Sequence, residues 1–184
     1  NTDKLCIFTD TGNLHQVKMM DIPSGKLRDK GTPIDNLSKY DGSKEEIVFL
    51  TNFDRLTGQI LLFATKMAMV KQVPAEEFVT NNRTVAATKL QEGDSLLTVR
   101  IAGTETDLVL QSASGMFLRF SMDEIPELKK NSRGVRGMKL GTGDELEEIY
   151  FVTQQPQIVY KEKEVHLNRL KLAKRDGKGS KVRL

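Results

Sequence analysis

Short apolar runs separated by turn residues recur along the chain in a fixed register. Leu5-Cys6-Ile7-Phe8 leads through Gly12 to Ile22-Pro23, Ile60-Leu61-Leu62-Phe63 through Ala68 to Phe78, and Leu108-Val109-Leu110 through Gly115 to Ile125-Pro126. In each copy ten positions separate the turn residue from the closing apolar residue. A period of roughly fifty residues suits a small multi-stranded β unit. The second half repeats as well: Gly31-Thr32-Pro33-Ile34-Asp35-Asn36-Leu37 aligns with Gly134-Val135-Arg136-Gly137-Met138-Lys139-Leu140, and Val85-Ala86-Ala87-Thr88-Lys89-Leu90 stands between them. A strand is expected at each. Turns with glycine and an acid follow at Gly93-Asp94 and Gly143-Asp144. Then come further apolar strands: Ile47-Val48-Phe49-Leu50, Leu96-Leu97-Thr98-Val99 and the run from Leu146 to Val152. β-branched and aromatic residues fill the runs, and Gly, Pro, Asn and Asp lie between them. Each unit thus predicts about four strands, with units near 1–52, 53–102 and 103–154 and a degenerate fourth at 155–184 that lacks the turn glycine. Sustained helical periodicity is absent.

The expected fold is all-β. Four-stranded sheets cannot bury both faces alone, so they stack as propeller-like blades or side by side, each neighbour supplying the missing core. Three good copies and a partial fourth predict an array that does not close on itself.

Composition narrows the picture further. The 184 residues are 38% hydrophobic, sufficient for a folded core. No apolar stretch is long enough to cross a bilayer, and Asn1-Thr2-Asp3-Lys4 has no leader-like pattern, so no membrane association is expected. The single cysteine, Cys6, lies in an apolar run and reads as a buried thiol. Net charge is only +3, but residues 161–184 hold nine Lys or Arg against three acids, which leaves nineteen against twenty-two in the rest. A phosphate backbone would favour such a basic region, and a solvated tail would look the same.

The repeats resemble the C-terminal domain of the A subunit of bacterial type II topoisomerases, DNA gyrase and topoisomerase IV. The runs that carry the resemblance are FTDTGNLHQVKMMDIP from Phe8, RDKGTPIDNL from Arg28, SASGMFLRFSMDEIP from Ser112 and NSRGVRGMKLGTGDEL from Asn131. The resemblance implies a β-pinwheel, a propeller-like array whose rim binds and bends duplex DNA. It also implies a cytoplasmic, nucleoid-associated location and, as partners, DNA, the B subunit, and the rest of the A subunit. No cofactor is implied for this chain, since ATP and magnesium belong to other parts of the intact enzyme. The DNA-cleaving tyrosine is likewise placed in a separate N-terminal part of the enzyme, and none of Tyr40, Tyr150 and Tyr160 stands next to an arginine. The glutamine-and-arginine-led, glycine-rich box usual in the first blade of gyrase A subunits is missing; the nearest runs are Arg133-Gly134-Val135-Arg136-Gly137 and Arg175-Asp176-Gly177-Lys178-Gly179. Two readings stay open, a fragment that begins after the first blade and a topoisomerase IV type subunit with a degenerate box.

A protein that bends DNA without reading sequence needs cations spread along a convex path. The candidates are Lys18, Lys26, Arg28 and Lys30 in the first unit, and Lys71, Arg83 and Lys89 in the second. Arg119, Lys129, Lys130, Arg133, Arg136 and Lys139 follow in the third, and Arg175, Lys178 and Lys181 in the fourth. Arginines beside Gly134 suit phosphate because a guanidinium can bond two oxygens at once. Other motifs read as structural. Gly177-Lys178-Gly179-Ser180 lacks the first glycine of a phosphate loop, position 172 being Leu. His15 and His166 have no clustered partners and read as surface or half-buried positions, and Asp123-Glu124, Asp144-Glu145 and Glu147-Glu148 fall at repeat boundaries. The rival functions are a propeller-like protein-interaction scaffold with solubilising cations and, last, a small enzyme built on one carboxylate pair.

Overall fold

In each unit the two runs flanking the turn residue form an antiparallel hairpin. The computed structural model describes residues 3–183; Asn1, Thr2 and Leu184, the last residue of the degenerate fourth unit, lie outside the described residues. The first hairpin is β1 (Lys4–Thr9) and β2 (Asn13–Lys18), followed by the four-residue helix α1 (Ile34–Leu37), β3 (Ile47–Asn52) and a second short helix, α2 (Phe53–Leu56). The second unit comprises β4 (Ile60–Thr65), β5 (Met69–Pro74), β6 (Thr84–Ala86) and β7 (Leu96–Ile101). The third comprises β8 (Asp107–Ser112), β9 (Met116–Ser121), β10 (Val135–Arg136) and β11 (Leu146–Phe151). The fourth holds β12 (Gln157–Tyr160), β13 (Lys163–His166), β14 (Leu172–Ala173) and β15 (Ser180–Lys181). The all-β expectation holds, and no helix among the described residues is long and apolar enough to cross a membrane.

The turn positions explain themselves in backbone terms. Gly12, Ala68 and Gly115 all adopt positive φ, at 82°, 62° and 84°, so Ala68 occupies a conformation that costs an L-residue about 1–2 kcal/mol. The fourth hairpin manages without glycine through Lys161 and Glu162, both at positive φ as a type I′ turn requires.

The sheets are offset from the sequence units. Their strand orders are β3-β1-β2-β6, β7-β4-β5-β10 and β11-β8-β9-β14, with β15 also on β9 and β12-β13 forming a separate pair. Each second strand therefore receives its outer neighbour from the following unit: β6 closes on β2, β10 on β5, and β14 and β15 on β9. Strands β3, β7 and β11 sit at the opposite edges and adjoin one another across the array, which makes the donated edge the outer rim. This exchange explains one departure from the sequence reading. The strand expected at Gly31–Leu37 is instead a loop and α1, because it occupies the donor position and the described residues include no preceding sheet edge for it to close.

Alternation along the strands builds the core between sheets. Cys6 and Phe8 meet Leu61, Phe63 and Phe78, whereas Leu62 and Ala64 face the other way onto Leu108, Leu110 and Phe120. Val109 and Phe117 then pack on Ile158, Val165 and Leu167 of the fourth unit. Each central strand is thus buried on both faces, which accounts for its unbroken apolar run. Phe78 is the hinge of the first interface, meeting Phe8 edge-on at 5.5 Å and stacking with Phe63 at 6.0 Å. Cys6 is fully buried, and burial, reinforced by the Asp3 carboxylate, pushes its thiol up to about 12.

Side chains four residues past each turn tie one sheet to the next unit. Gln16 donates to the Asn82 carbonyl at 3.1 Å, Gln72 to those of Met122 and Ile125 at 3.3 and 2.9 Å, and Arg119 to those of Asn168 and Leu170 at 2.7 and 3.0 Å. Close approach of the donated segment also requires a missing side chain. A Cβ on Gly134, which has φ +85°, would lie 2.5 Å from the Val70 carbonyl oxygen. Gly134→Ala is expected to destabilise the chain by about 2 kcal/mol or more in urea unfolding. Gly141→Ala, where a Cβ meets nothing within 4 Å, should change stability by less than about 0.5 kcal/mol.

Candidate nucleic-acid interface

The donated segments carry cations to the outer rim. Arg83 and Lys89 flank β6, Arg133 and Lys139 flank β10, Arg136 lies on it, and Lys178 and Lys181 lie at β15; all are exposed. Lys18 at the end of β2, Lys129 before β10, and Lys26, Arg28 and Lys30 in the loop after β2 are exposed as well. Grooves between neighbouring units bring several together. Lys18 and Arg83 line one groove with Gln16 and Asn82, Lys139 and Lys178 line another, and Arg175 and Lys178 share a third with Lys171 and Lys174. Lys4, Lys171 and Lys174 are groove residues that the repeat alignment did not single out; their charge alone could have included them.

Not every candidate is free to meet phosphate. Lys71 is 1% exposed and is withdrawn from the rim: three residues past the turn, strand alternation turns its side chain inward, where the ammonium donates to backbone carbonyls. Burial pushes its ammonium down to about 8, with the Glu77 carboxylate acting in the opposite direction. Arg119 is half-buried, paired with Asp107 and spent on the inter-unit carbonyls of Asn168 and Leu170. Lys130 is half-buried and donates to the Glu77 carbonyl at 2.9 Å, and Arg175 donates to the Arg136 carbonyl at 2.7 Å. Arg136 keeps its exposure but is held by both oxygens of Asp176, and the hydrogen bonds between them push the arginine up and the aspartate down. The C-terminal basic region is therefore partly structural, because β14 and β15 build it into the third sheet. Gly179 permits that packing, since a Cβ there would lie 2.6 Å from the Phe117 carbonyl oxygen.

The acids also have structural work. Two residues before the last strand of each of the first three units, β3, β7 and β11, stand Glu45, Asp94 and Asp144. Asp94 accepts from the Met67 N–H at 3.0 Å and Asp144 from the Ser114 N–H at 2.9 Å, each pinning a hairpin turn. Glu45, one methylene longer, reaches inward instead. Its carboxylate accepts from Thr9 and Thr11 hydroxyls at 2.9 and 2.7 Å and from the Asp41 N–H at 3.2 Å, and lies 2.6 Å from His15 Nε2. The other ring nitrogen of His15 lies 2.8 Å from Thr84 Oγ1, so this histidine is buried, not at the surface or half-buried as its alternation suggested. An acid recurring two residues before the last strand of the first three units was the available sign of this cluster.

A chain of exchanged four-stranded sheets with a cationic outer edge belongs to the propeller-like class. A family model described as the DNA gyrase C-terminal domain, beta-propeller, matches residues 59–102 and 106–153, together half of the chain. The chain belongs to that family. It is 32% identical over 145 residues to the DNA gyrase A subunit of Lawsonia intracellularis, a match that covers 78% of this chain and 18% of that protein. The chain thus spans about a fifth of the length of the curated relatives that it matches. The fold is shared with the solved C-terminal domain of DNA topoisomerase IV, with a TM-score of 0.87, 23% identity, and 97% of this chain and 58% of that one covered. The solved DNA gyrase A C-terminal domain superposes with a TM-score of 0.74 and 24% identity, covering 98% of this chain and 60% of that one.

Burial raises the Glu45 carboxyl, but its hydrogen bonds from Thr11, Thr9, the Asp41 backbone and His15 outweigh that and hold it at about 2. A carboxyl lowered on folding adds stability that is complete above its unfolded value of about 4.3 and lost as the pH falls through the folded value. Thermal unfolding between pH 5 and about 2 is therefore expected to show a steep loss of Tm, and Glu45→Gln should flatten that slope.

Proposed function

We propose that this chain binds duplex DNA along its outer rim without reading sequence, and that it bends or wraps the duplex as part of the A subunit of a topoisomerase. The observation that carries this reading is the exposure of cations at the donated edge of three successive sheets, so that one path crosses Lys18 and Arg83, then Lys89, Lys129, Arg133 and Lys139, then Lys178 and Lys181. Bending a site of twenty to thirty base pairs costs on the order of 1–6 kcal/mol, which many modest phosphate contacts offset where one cannot. Each contact releases counterions and adds about 0.9 to the slope of log affinity against log salt. The partners in this reading are duplex DNA, the B subunit, and the remainder of the A subunit, in the cytoplasm. DNA cleavage, ATP and magnesium belong to other parts of that enzyme.

Titration of the chain onto a labelled random-sequence duplex at several salt concentrations tests the reading, paired with ligation of a nicked circle to detect induced writhe. Affinity that falls steeply with salt supports it, and net writhe supports wrapping in particular. Absence of binding at low salt favours the protein-interaction scaffold. Lys89→Ala with Arg133→Ala is expected to lower the salt slope by about 2 and to weaken all sequences alike. Asp176→Asn, which releases Arg136, should raise the affinity.

A further inference from the structure

Lys71 holds a charge that phosphate cannot reach, yet all of it is directed at the rim. Its Nζ donates to the carbonyl oxygens of Lys129, Lys130 and Ser132 at 3.2, 2.9 and 2.7 Å and lies 5.4 Å from the centre of the Phe63 ring. An ammonium has three hydrogens and no acceptor, so three convergent carbonyls meet its full bonding capacity. All three come from the turn that precedes β10 and carries Lys129 and Arg133 to the surface. The Ser132 carbonyl also accepts from the Lys89 N–H and the Thr88 hydroxyl, each at 3.3 Å. The same oxygen therefore joins the second strand of one sheet to the donated segments on either side of it.

The blade itself does not require a cation here. Counted from the turn residue, the same position is His15 in the first unit and Leu118 in the third, and Leu118 is buried among apolar side chains. A buried ammonium is costly to desolvate and gains only where its bonds are satisfied. A leucine would fill the site more cheaply, but it could not hold the carbonyls of the turn.

We infer that Lys71 is a positioning residue for the basic rim: its buried ammonium fixes the Lys129–Ser132 turn and so holds Lys89, Lys129 and Arg133 at one junction, and it affects DNA only through them. This inference rests on the DNA-binding function proposed for the rim. It makes a buried side chain a determinant of affinity although it contributes no charge to the surface.

The test is a double-mutant cycle with Lys71→Met and Arg133→Ala in the full chain, reading affinity for a random-sequence duplex, with amide hydrogen exchange of the DNA-free protein alongside. Lys71→Met is expected to weaken binding about tenfold, and Arg133→Ala to cost much less in its background than in the wild type. Exchange should rise at residues 129–136 while the amides of β4 and β8 keep their protection. Wild-type affinity in Lys71→Met, or effects that multiply independently, would overturn the inference. Lys71→Leu, the third unit's residue, is the second variant; if neither variant folds, the blade itself needs the lysine and the inference falls. If the wild type binds no duplex, the DNA reading fails, and unchanged exchange at 129–136 would separately dismiss the latch.

Discussion

The outer edge of a β-sheet presents unpaired N–H and C=O groups, and in this chain every such edge in the three main sheets is closed by a segment from the next unit. That exchange governs much of the architecture. It fastens neighbouring sheets through main-chain bonds as well as through the apolar layers between them. It also demands close approach, which Gly134 and Gly179 allow, and it aligns Gln16, Gln72 and Arg119 to bond the following unit. Finally, it puts the loops that flank each donated strand at the rim, where their Lys and Arg side chains meet solvent.

Much of this was legible in the sequence. The ten-residue spacing from turn to closing apolar residue located the hairpins, and the turn position proved to be left-handed even where Ala68 replaces glycine. The exchange was not legible, because an apolar pattern fixes which faces are buried but not which edge a short strand will close. For that reason Gly31–Leu37 aligned with strand-forming segments and yet formed a loop and a short helix. The same limit affected the cations: Lys71 and Arg133 are alike in a charge count, and only the pleat and the path of the following unit separate a buried ammonium from an exposed guanidinium. The contact of His15 with Glu45 was not legible because it joins a hairpin to a loop thirty residues away.

The rim is modest in charge once its internal pairs are set aside. Arg119 and Arg136 face Asp107 and Asp176, and Lys130 and Arg175 are engaged with backbone carbonyls. What remains is a series of exposed cations, singly and in small groups, spread over successive units, a pattern suited to following a phosphate backbone rather than to gripping one site. Specific base contacts have no evident source in it. In the proposed DNA-binding role, recognition would therefore rest on charge and shape, with the deformability of the duplex deciding where binding is best.

The most direct measurement of the central claim is a lysine-methylation footprint of the chain with and without a random-sequence duplex. The account predicts that Lys18, Lys89, Lys129, Lys139, Lys178 and Lys181 lose reactivity when DNA is present. The exposed Lys44, just before β3, and Lys66, whose backbone bonds Ser95 before β7 and Leu146 of β11, sit by the opposite-edge strands and should keep theirs. Uniform protection, or protection of Lys44 and Lys66 while the rim lysines stay reactive, would contradict it.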